Sequence, residues 1–304
     1  MSAVAHDQIP VGDGVELHVA SAGPADGPVV LLVHGFPELW FSWRHQIAPL
    51  AEAGYRVLVP DLRGIGGSTQ TAPIEDYDNA TVQADLFAVL DHAGAERAAF
   101  VGHDFGSSFS WHIALAAPER VACVGGLSVP AVPRAPAQPL PIMRRHLGDD
   151  FYIAWFQTPG PADAALAADV RRTLATTKVW NPAWAEQDEN PPTPPFMTDE
   201  ELQVYVDAYT RTGFTGGLNW YRNIDRNWHA DEALVGRTID VPACFITGER
   251  DPVERFMPIA AMDGYVTDLR ERVVIDGAGH WIQQERPDEV NAVLLRFLAD
   301  AYPA

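Results

Sequence analysis

The chain has 304 residues, is 47% hydrophobic and carries a formal net charge of -20 at pH 7. That length suits one large α/β domain with an insertion, or two small domains, and so acidic a surface repels nucleic acid and anionic membrane. No signal-peptide pattern opens the chain and no apolar run reaches membrane-spanning length, so a cytoplasmic protein is expected, with no membrane partner.

Short apolar runs bounded by turn residues punctuate the first part of the chain. Val29–Val33 ends in His-Gly, Arg56–Pro60 ends in Asp-Leu-Arg-Gly, Ala98–Val101 ends in Gly-His-Asp-Phe-Gly, and Val121–Leu127 follows. Runs this short and apolar on both faces suit strands of a buried parallel sheet. Between the second and third lies a helical pattern, Thr81–Ala93, with Val82, Leu86, Val89 and Leu90 on one face and Gly94 as its stop. Strand–helix–strand alternation predicts right-handed crossovers and a doubly wound, mostly parallel sheet. The two cysteines, Cys123 and Cys244, fall in apolar runs and read as buried thiols in a reducing compartment.

The alternation then breaks. Proline clusters fall at 130–141 and 190–195, with a helical pattern between them at Ala162–Thr177 and another after them at Thr198–Thr212. The latter opens on Thr198 with Glu201 three residues on, a capping-box signature. Strand-like runs return at Val241–Thr247 and Val273–Ile275, and a last helix, Asp288–Ala301, shows an apolar stripe at Val290, Val293, Leu294 and Phe297. The expected organisation is a core domain from residues 1–128 and 237–304, with a helical cap inserted at 129–236.

Chemistry concentrates after the third run. Gly102-His103-Asp104-Phe105-Gly106 fits the strand–turn–helix elbow that exposes a nucleophile, except that aspartate stands where serine is usual. The turn is so tight that its neighbours must be small, and Gly102, Gly106 and Ser107 are. Ser107 and Ser108 fall inside the following helix and face its packing. An acid and then a histidine should follow, each after a later strand. Asp251 in Gly-Glu-Arg-Asp and His280 in Gly-Ala-Gly-His occupy those places; Glu249 and Asp276 are rival acids with a solvated surface role. No spacing of a metal site occurs. Two backbone N–H groups could form an oxyanion hole: that of Phe105, directly after the nucleophile, and that of Phe36, in the loop His34-Gly35-Phe36-Pro37.

Aspartate does what serine cannot. A serine attacking a saturated carbon makes a stable ether; a carboxylate makes an alkyl ester whose carbonyl water can then attack. Substrates with a strained alkoxide or a halide as leaving group suit that route, with no cofactor.

The chain resembles the α/β-hydrolase-fold epoxide hydrolases over nearly its whole length, through HGFPELWFSWRHQ (34–46), DLRGIGGS (61–68), GHDFGS (102–107), LNWYRN (218–223), GERD (248–251) and GHWIQQERP (279–287). The resemblance implies an α/β-hydrolase fold with a helical cap, Asp104 as nucleophile, Asp251 and His280 as acid and base, and His34, Gly35 and Pro37 as the family's H-G-x-P motif. It also implies that Tyr152 and Tyr221 hydrogen-bond and protonate the epoxide oxygen; a phenol with pKa near 10 donates readily to an alkoxide. The expected partners are a small hydrophobic epoxide and water, acted on by a monomer or homodimer. Two other readings are a haloalkane-type dehalogenase sharing the aspartate elbow and a non-catalytic binding protein. Phe105 stands where such dehalogenases hold halide with a tryptophan, and its ring has no N–H to offer. No arginine lies by the elbow to hold a fluoroacetate-type carboxylate, and the triad of a binding protein would be broken.

Overall fold

The computed structural model describes residues 4–176, 180–187 and 190–304. Its centre is an eight-stranded sheet in the order β1-β2-β4-β3-β5-β6-β7-β8. The strands are β1 (Ala5–Gly12), β2 (Val15–Ala22), β3 (Val29–Val33), β4 (Arg56–Pro60), β5 (Ala98–His103), β6 (Val121–Leu127), β7 (Ala243–Gly248) and β8 (Leu269–Ile275). β1 and β2 are antiparallel to their neighbours and the remaining pairs are parallel.

The central strands show why their sequences lack alternation. Val29, Leu31 and Val33 of β3 enter one core cluster, while Val30 and Leu32 enter the other. Ala98 and Phe100 of β5 divide in the same way from Ala99 and Val101. Side chains alternate faces as in any strand, but helices cover both faces, so every position is apolar. α2 (Asn79–His92) and α3 (Phe105–Ala116) lie on one face; α1 (Arg44–Glu52) and α13 (Pro287–Ala301) lie on the other. The stripe Val290, Val293, Leu294, Phe297 and Leu298 of α13 is buried, each side chain contributing about 1.5–3 kcal/mol. Cys123 and Cys244 are free and buried on the adjacent strands β6 and β7.

Between β6 and β7 the chain is helical: α4 (Pro139–Leu147), α5 (Tyr152–Phe156), α6 (Pro161–Ala168), α7 (Val170–Ala175), α8 (Pro182–Ala185), α9 (Asp199–Thr212), α10 (Thr215–Arg222) and α11 (Ile224–Ala230), followed after β8 by α12 (Ile282–Glu285). Thr198 caps α9 with the full box, its hydroxyl accepting from the Glu201 N–H and the Glu201 carboxylate from the Thr198 N–H. The same carboxylate accepts from Arg44 Nε at 2.7 Å, tying α9 to α1. The helical pattern at Ala162–Thr177 is two helices, not one. Asp169 takes extended backbone and accepts from the Arg172 N–H as the N-cap of α7; Thr177 lies outside the described residues.

The hairpin of β1 and β2 was not anticipated. Its signal was there: Asp13-Gly14, both with positive φ, make the turn between strands whose pairing spans Ala5 to Ser21. No helix among the described residues is long and apolar enough to cross a membrane.

Replacing the fully buried Leu294 by alanine is expected to lower unfolding free energy by about 2–5 kcal/mol in a denaturant titration, with turnover per folded molecule unchanged.

Candidate active site

The chain runs from β3 to β4 on one side and returns to β5 on the other, so the strand order reverses between β3 and β5. Ligands in open α/β sheets bind at such a reversal, beyond the carboxyl ends of the strands. Asp104 stands at the end of β5 and the loop Gly35-Phe36-Pro37 at the end of β3, so the two face each other across that crevice.

Asp104 has φ 53° and ψ -120°, left-handed territory for a residue with a side chain. Its neighbours permit it. A Cβ on Gly102 would lie 2.0 Å from the Gly106 carbonyl oxygen, and one on Gly106 would lie 2.0 Å from that of Val33. The Asp104 carboxylate points across the crevice, where the Phe36 N–H donates to Oδ1 at 2.9 Å; the Phe105 N–H lies close enough to help lower its pKa. Both N–H groups expected to form the oxyanion hole therefore lie beside one carboxyl group, and that of Phe36 is bonded to it.

His34 does not face the reaction space. It is fully buried; its Nε2 accepts from the Leu62 N–H at 2.9 Å, so Nδ1 carries the hydrogen and donates to the Gly35 carbonyl at 2.8 Å. Burial lowers its pKa and keeps it neutral, a strut that fixes the Gly35–Pro37 loop.

Asp251 and His280 come from the loops after β7 and β8. Asp251 Oδ2 accepts from His280 Nδ1 at 2.9 Å and Oδ1 from the Val253 N–H at 2.9 Å. The far nitrogen of His280 lies 3.5 Å from Asp104 Oδ2. Burial pushes the Asp104 and Asp251 carboxyls up, but His280 outweighs it and holds both below the ordinary range. Burial disfavours charge on His280, yet the two carboxylates raise its pKa well above that of a free imidazole. The rival acids stay outside: Glu249 accepts from the Gly277 N–H at an exposed loop, and among the described residues no hydrogen bond or ion pair brings Asp276 to His280.

Tyr152 opens α5 and Tyr221 lies in α10, their rings 5.7 Å apart at 81°. The Tyr221 ring stands edge-on to Phe105 at 4.7 Å, which brings it over the elbow. Burial and then the negative charge of Asp104 raise the Tyr152 phenol; burial, Tyr152 and Asp104 raise that of Tyr221. Both therefore stay protonated. Among the described residues, neither hydroxyl has a hydrogen-bond partner in the protein, which leaves both free to donate. Phe36, Phe105, Phe156 and Trp180 complete an aromatic wall around them. Ser107 is buried and donates to the Val129 carbonyl, and is not a nucleophile.

Two residues escaped the sequence reading. Glu38, 1% exposed, accepts from His103 Nδ1 at 2.7 Å, the Gly35 N–H at 2.8 Å and Gln283 Nε2 at 2.7 Å. His103 Nε2 faces the His280 carbonyl oxygen at 2.8 Å. Both ring nitrogens of His103 thus face acceptors, the Glu38 carboxylate on one side and the His280 carbonyl on the other. The Ser128 hydroxyl donates to the same His280 carbonyl at 2.7 Å. The clue lay in FPELWF, where an acid inside an apolar run calls for a buried partner.

The model of the α/β hydrolase fold family matches residues 28–287. Epoxide hydrolase A of Mycobacterium tuberculosis is 48% identical over 305 residues, covering 94% of this chain and 95% of that protein. The chain belongs to the epoxide hydrolases of the α/β-hydrolase fold. Epoxide hydrolase 3 of Siraitia grosvenorii is 38% identical over 94% of this chain and 96% of its own length. The crystal structure of epoxide hydrolase A from Mycobacterium thermoresistibile superposes with a TM-score of 0.92 at 45% identity, covering 99% of this chain and 100% of that one. Membership in this family sets the dehalogenase and binding-protein readings aside.

Glu38→Ala leaves the Gly35 N–H, His103 and the Gln283 amide without their buried acceptor, and is expected to cost roughly 3 kcal/mol or more of stability by denaturant titration.

Proposed function

We propose that this chain hydrolyses epoxides to vicinal diols through an ester on Asp104, with residues 129–236 acting as the cap that closes the site. One observation carries the reading: a carboxylate, not a hydroxyl, sits in the oxyanion hole, with a carboxylate-backed histidine at its other oxygen.

In the first step Asp104 Oδ2 attacks an epoxide carbon and the strained C–O bond breaks. Tyr152 and Tyr221 hold the ring oxygen, and one phenol proton passes to it as it becomes an alkoxide. Oδ1 stays on the Phe36 N–H and becomes the ester carbonyl. Esterification removes the Asp104 charge, so His280 loses one of the carboxylates that raise its pKa and releases its proton to solvent, which returns it once the Asp104 carboxylate is re-formed. The neutral imidazole, still oriented by Asp251, takes a proton from water, and the hydroxide attacks the Asp104 carboxyl carbon. The Phe36 and Phe105 N–H groups stabilise the resulting oxyanion. The Cγ–Oδ2 bond then breaks, His280 protonates the departing Oδ2, and the second proton of water restores the tyrosine.

The product thus carries one oxygen from the epoxide and one from Asp104. The aromatic wall favours apolar substituents, aryl groups among them. No step needs a cofactor or metal, and the free buried thiols fit a reducing compartment such as the cytoplasm.

A single turnover of styrene oxide in ¹⁸O-water should yield unlabelled diol, with the label on Asp104 by mass spectrometry; label in the first diol overturns the ester route. His280→Gln should accumulate the ester as a stable mass increase on the protein, and Asp104→Ala should show neither ester nor turnover. Tyr221→Phe should slow ester formation by about a hundredfold in rapid-quench assays. The pH dependence follows from the shifts. Asp104, held low, remains a nucleophile below the usual carboxylate range, whereas hydrolysis needs neutral His280 and fails as pH falls through its pKa in the ester. Acidification should therefore raise the esterified fraction at steady state before turnover stops; an ester fraction that falls with pH contradicts this order.

A further inference from the structure

The two tyrosines sit on separate helices, and α5 is only five residues long. An isolated helix of that length does not hold itself together, so its place is set by outside contacts. Gln157, the residue after α5, supplies one. Its single side-chain NH2 donates to the Ile153 carbonyl at 2.8 Å and to the Tyr221 carbonyl at 3.0 Å. One hydrogen closes the last turn of the helix that carries Tyr152; the other grips the backbone of the second tyrosine itself. Arg222, next to Tyr221, reaches back the opposite way: Nε donates to the Phe156 carbonyl at 3.0 Å, while its other nitrogens engage Asn219 and Asp163. Phe156 fills the space between, edge-on to Tyr152 at 5.7 Å and to Tyr221 at 5.1 Å.

We infer that Gln157 is a positioning residue for ring opening: its bifurcated amide fixes the spacing of Tyr152 and Tyr221, so that both hydroxyls meet one epoxide oxygen. This rests on the tyrosines acting as proposed above. Gln157 touches neither Asp104 nor His280. Its loss therefore impairs the step that uses the tyrosine pair and spares the step that uses the triad and the oxyanion hole. A misplacement near 1 Å at a reacting group costs up to roughly a hundredfold in rate.

The test is transient kinetics on the intact enzyme, with ester formation and ester hydrolysis resolved by rapid quench and mass spectrometry on styrene oxide. Gln157→Met keeps the length and loses both donors; Gln157→Glu keeps the shape and sets a carboxylate against two carbonyls; Gln157→Lys keeps donors. Gln157→Met and Gln157→Glu should form ester roughly ten- to a hundredfold more slowly while hydrolysing it at the native rate, and Gln157→Lys should recover most of the loss. A general structural role would slow both steps together and lower the melting temperature in proportion. Ester formation at the native rate in either donor-less variant, equal slowing of both steps, or no recovery in Gln157→Lys overturns the inference. Tyr152→Phe and Tyr221→Phe run in the same assay. If both open the epoxide at the native rate, the tyrosine reading and this inference fall together. If they are slow and Gln157→Met is not, this inference alone falls.

Discussion

The carboxylate of Asp104 is held across the gap between β3 and β5 by a backbone N–H, and the rest of the site is arranged around that contact. The geometry requires a residue with a side chain to sit at φ 53°, a conformation that costs on the order of 1–3 kcal/mol. Such strain persists only where the surroundings over-determine it. Here they do: a Cβ on Gly35 would lie 2.4 Å from that of Asp104, so the loop of β3 closes directly on this residue. The same N–H that orients the carboxylate is then already in place for the oxyanion of its ester, with no reorganisation between the two proposed steps.

Charge is organised around this contact in two tiers. The outer tier is Asp104, His280 and Asp251, in which one imidazole lies between two carboxylates. The inner tier is Glu38 with His103, wholly buried beneath it and joined to it through the His280 carbonyl. Glu38 is also where the helices between β6 and β7 are anchored. The Tyr209 hydroxyl donates to its carbonyl at 2.9 Å, and Gln284, which receives the Tyr205 hydroxyl at 3.0 Å and Arg44 Nη1 at 2.7 Å, approaches its carboxylate. His280 and the helices between β6 and β7 thus share one foundation. A buried polar pair gives little net stability against an apolar substitute; here its geometric consequence is larger, because it fixes the backbone of His280 and the seat of α9 together.

What the sequence disclosed follows from how local each feature is. The bounds of β3, β4 and β6 were legible because a strand covered on both faces must be apolar at every position. The elbow was legible because steric demand writes glycine at fixed offsets. The capping box of α9 involves residues three apart and needs no tertiary partner. Other features depend on distant partners. Whether the run after Ala162 is one helix or two turns on a single Asp169, whose side chain can cap a new helix as readily as it can face solvent. Glu38 and His103 lie 65 positions apart, so neither residue alone announces their hydrogen bond. The hairpin of β1 and β2 failed for a different reason: its outer strand is largely exposed, so its apolar signal is faint, and the Asp13-Gly14 turn was the better clue.

The two halves of the proposed chemistry rest on structures of different stiffness. Nucleophile, hole donors and acid stand just beyond β3, β5 and β7, parallel strands buried on both faces, and the base follows β8 at the sheet's edge, where Asp251 and the His103 contact hold it. The phenols stand on helices five and eight residues long, joined by side-chain amide and guanidinium bonds to carbonyl groups. Ester hydrolysis is the same reaction whatever epoxide entered, so a rigid frame suits it. Ring opening must meet substrates of differing shape, and the short helices can be repacked without disturbing the sheet. Differences in substrate and in the carbon attacked are therefore expected to arise from the packing between α5 and α10, while the geometry of the triad stays constant.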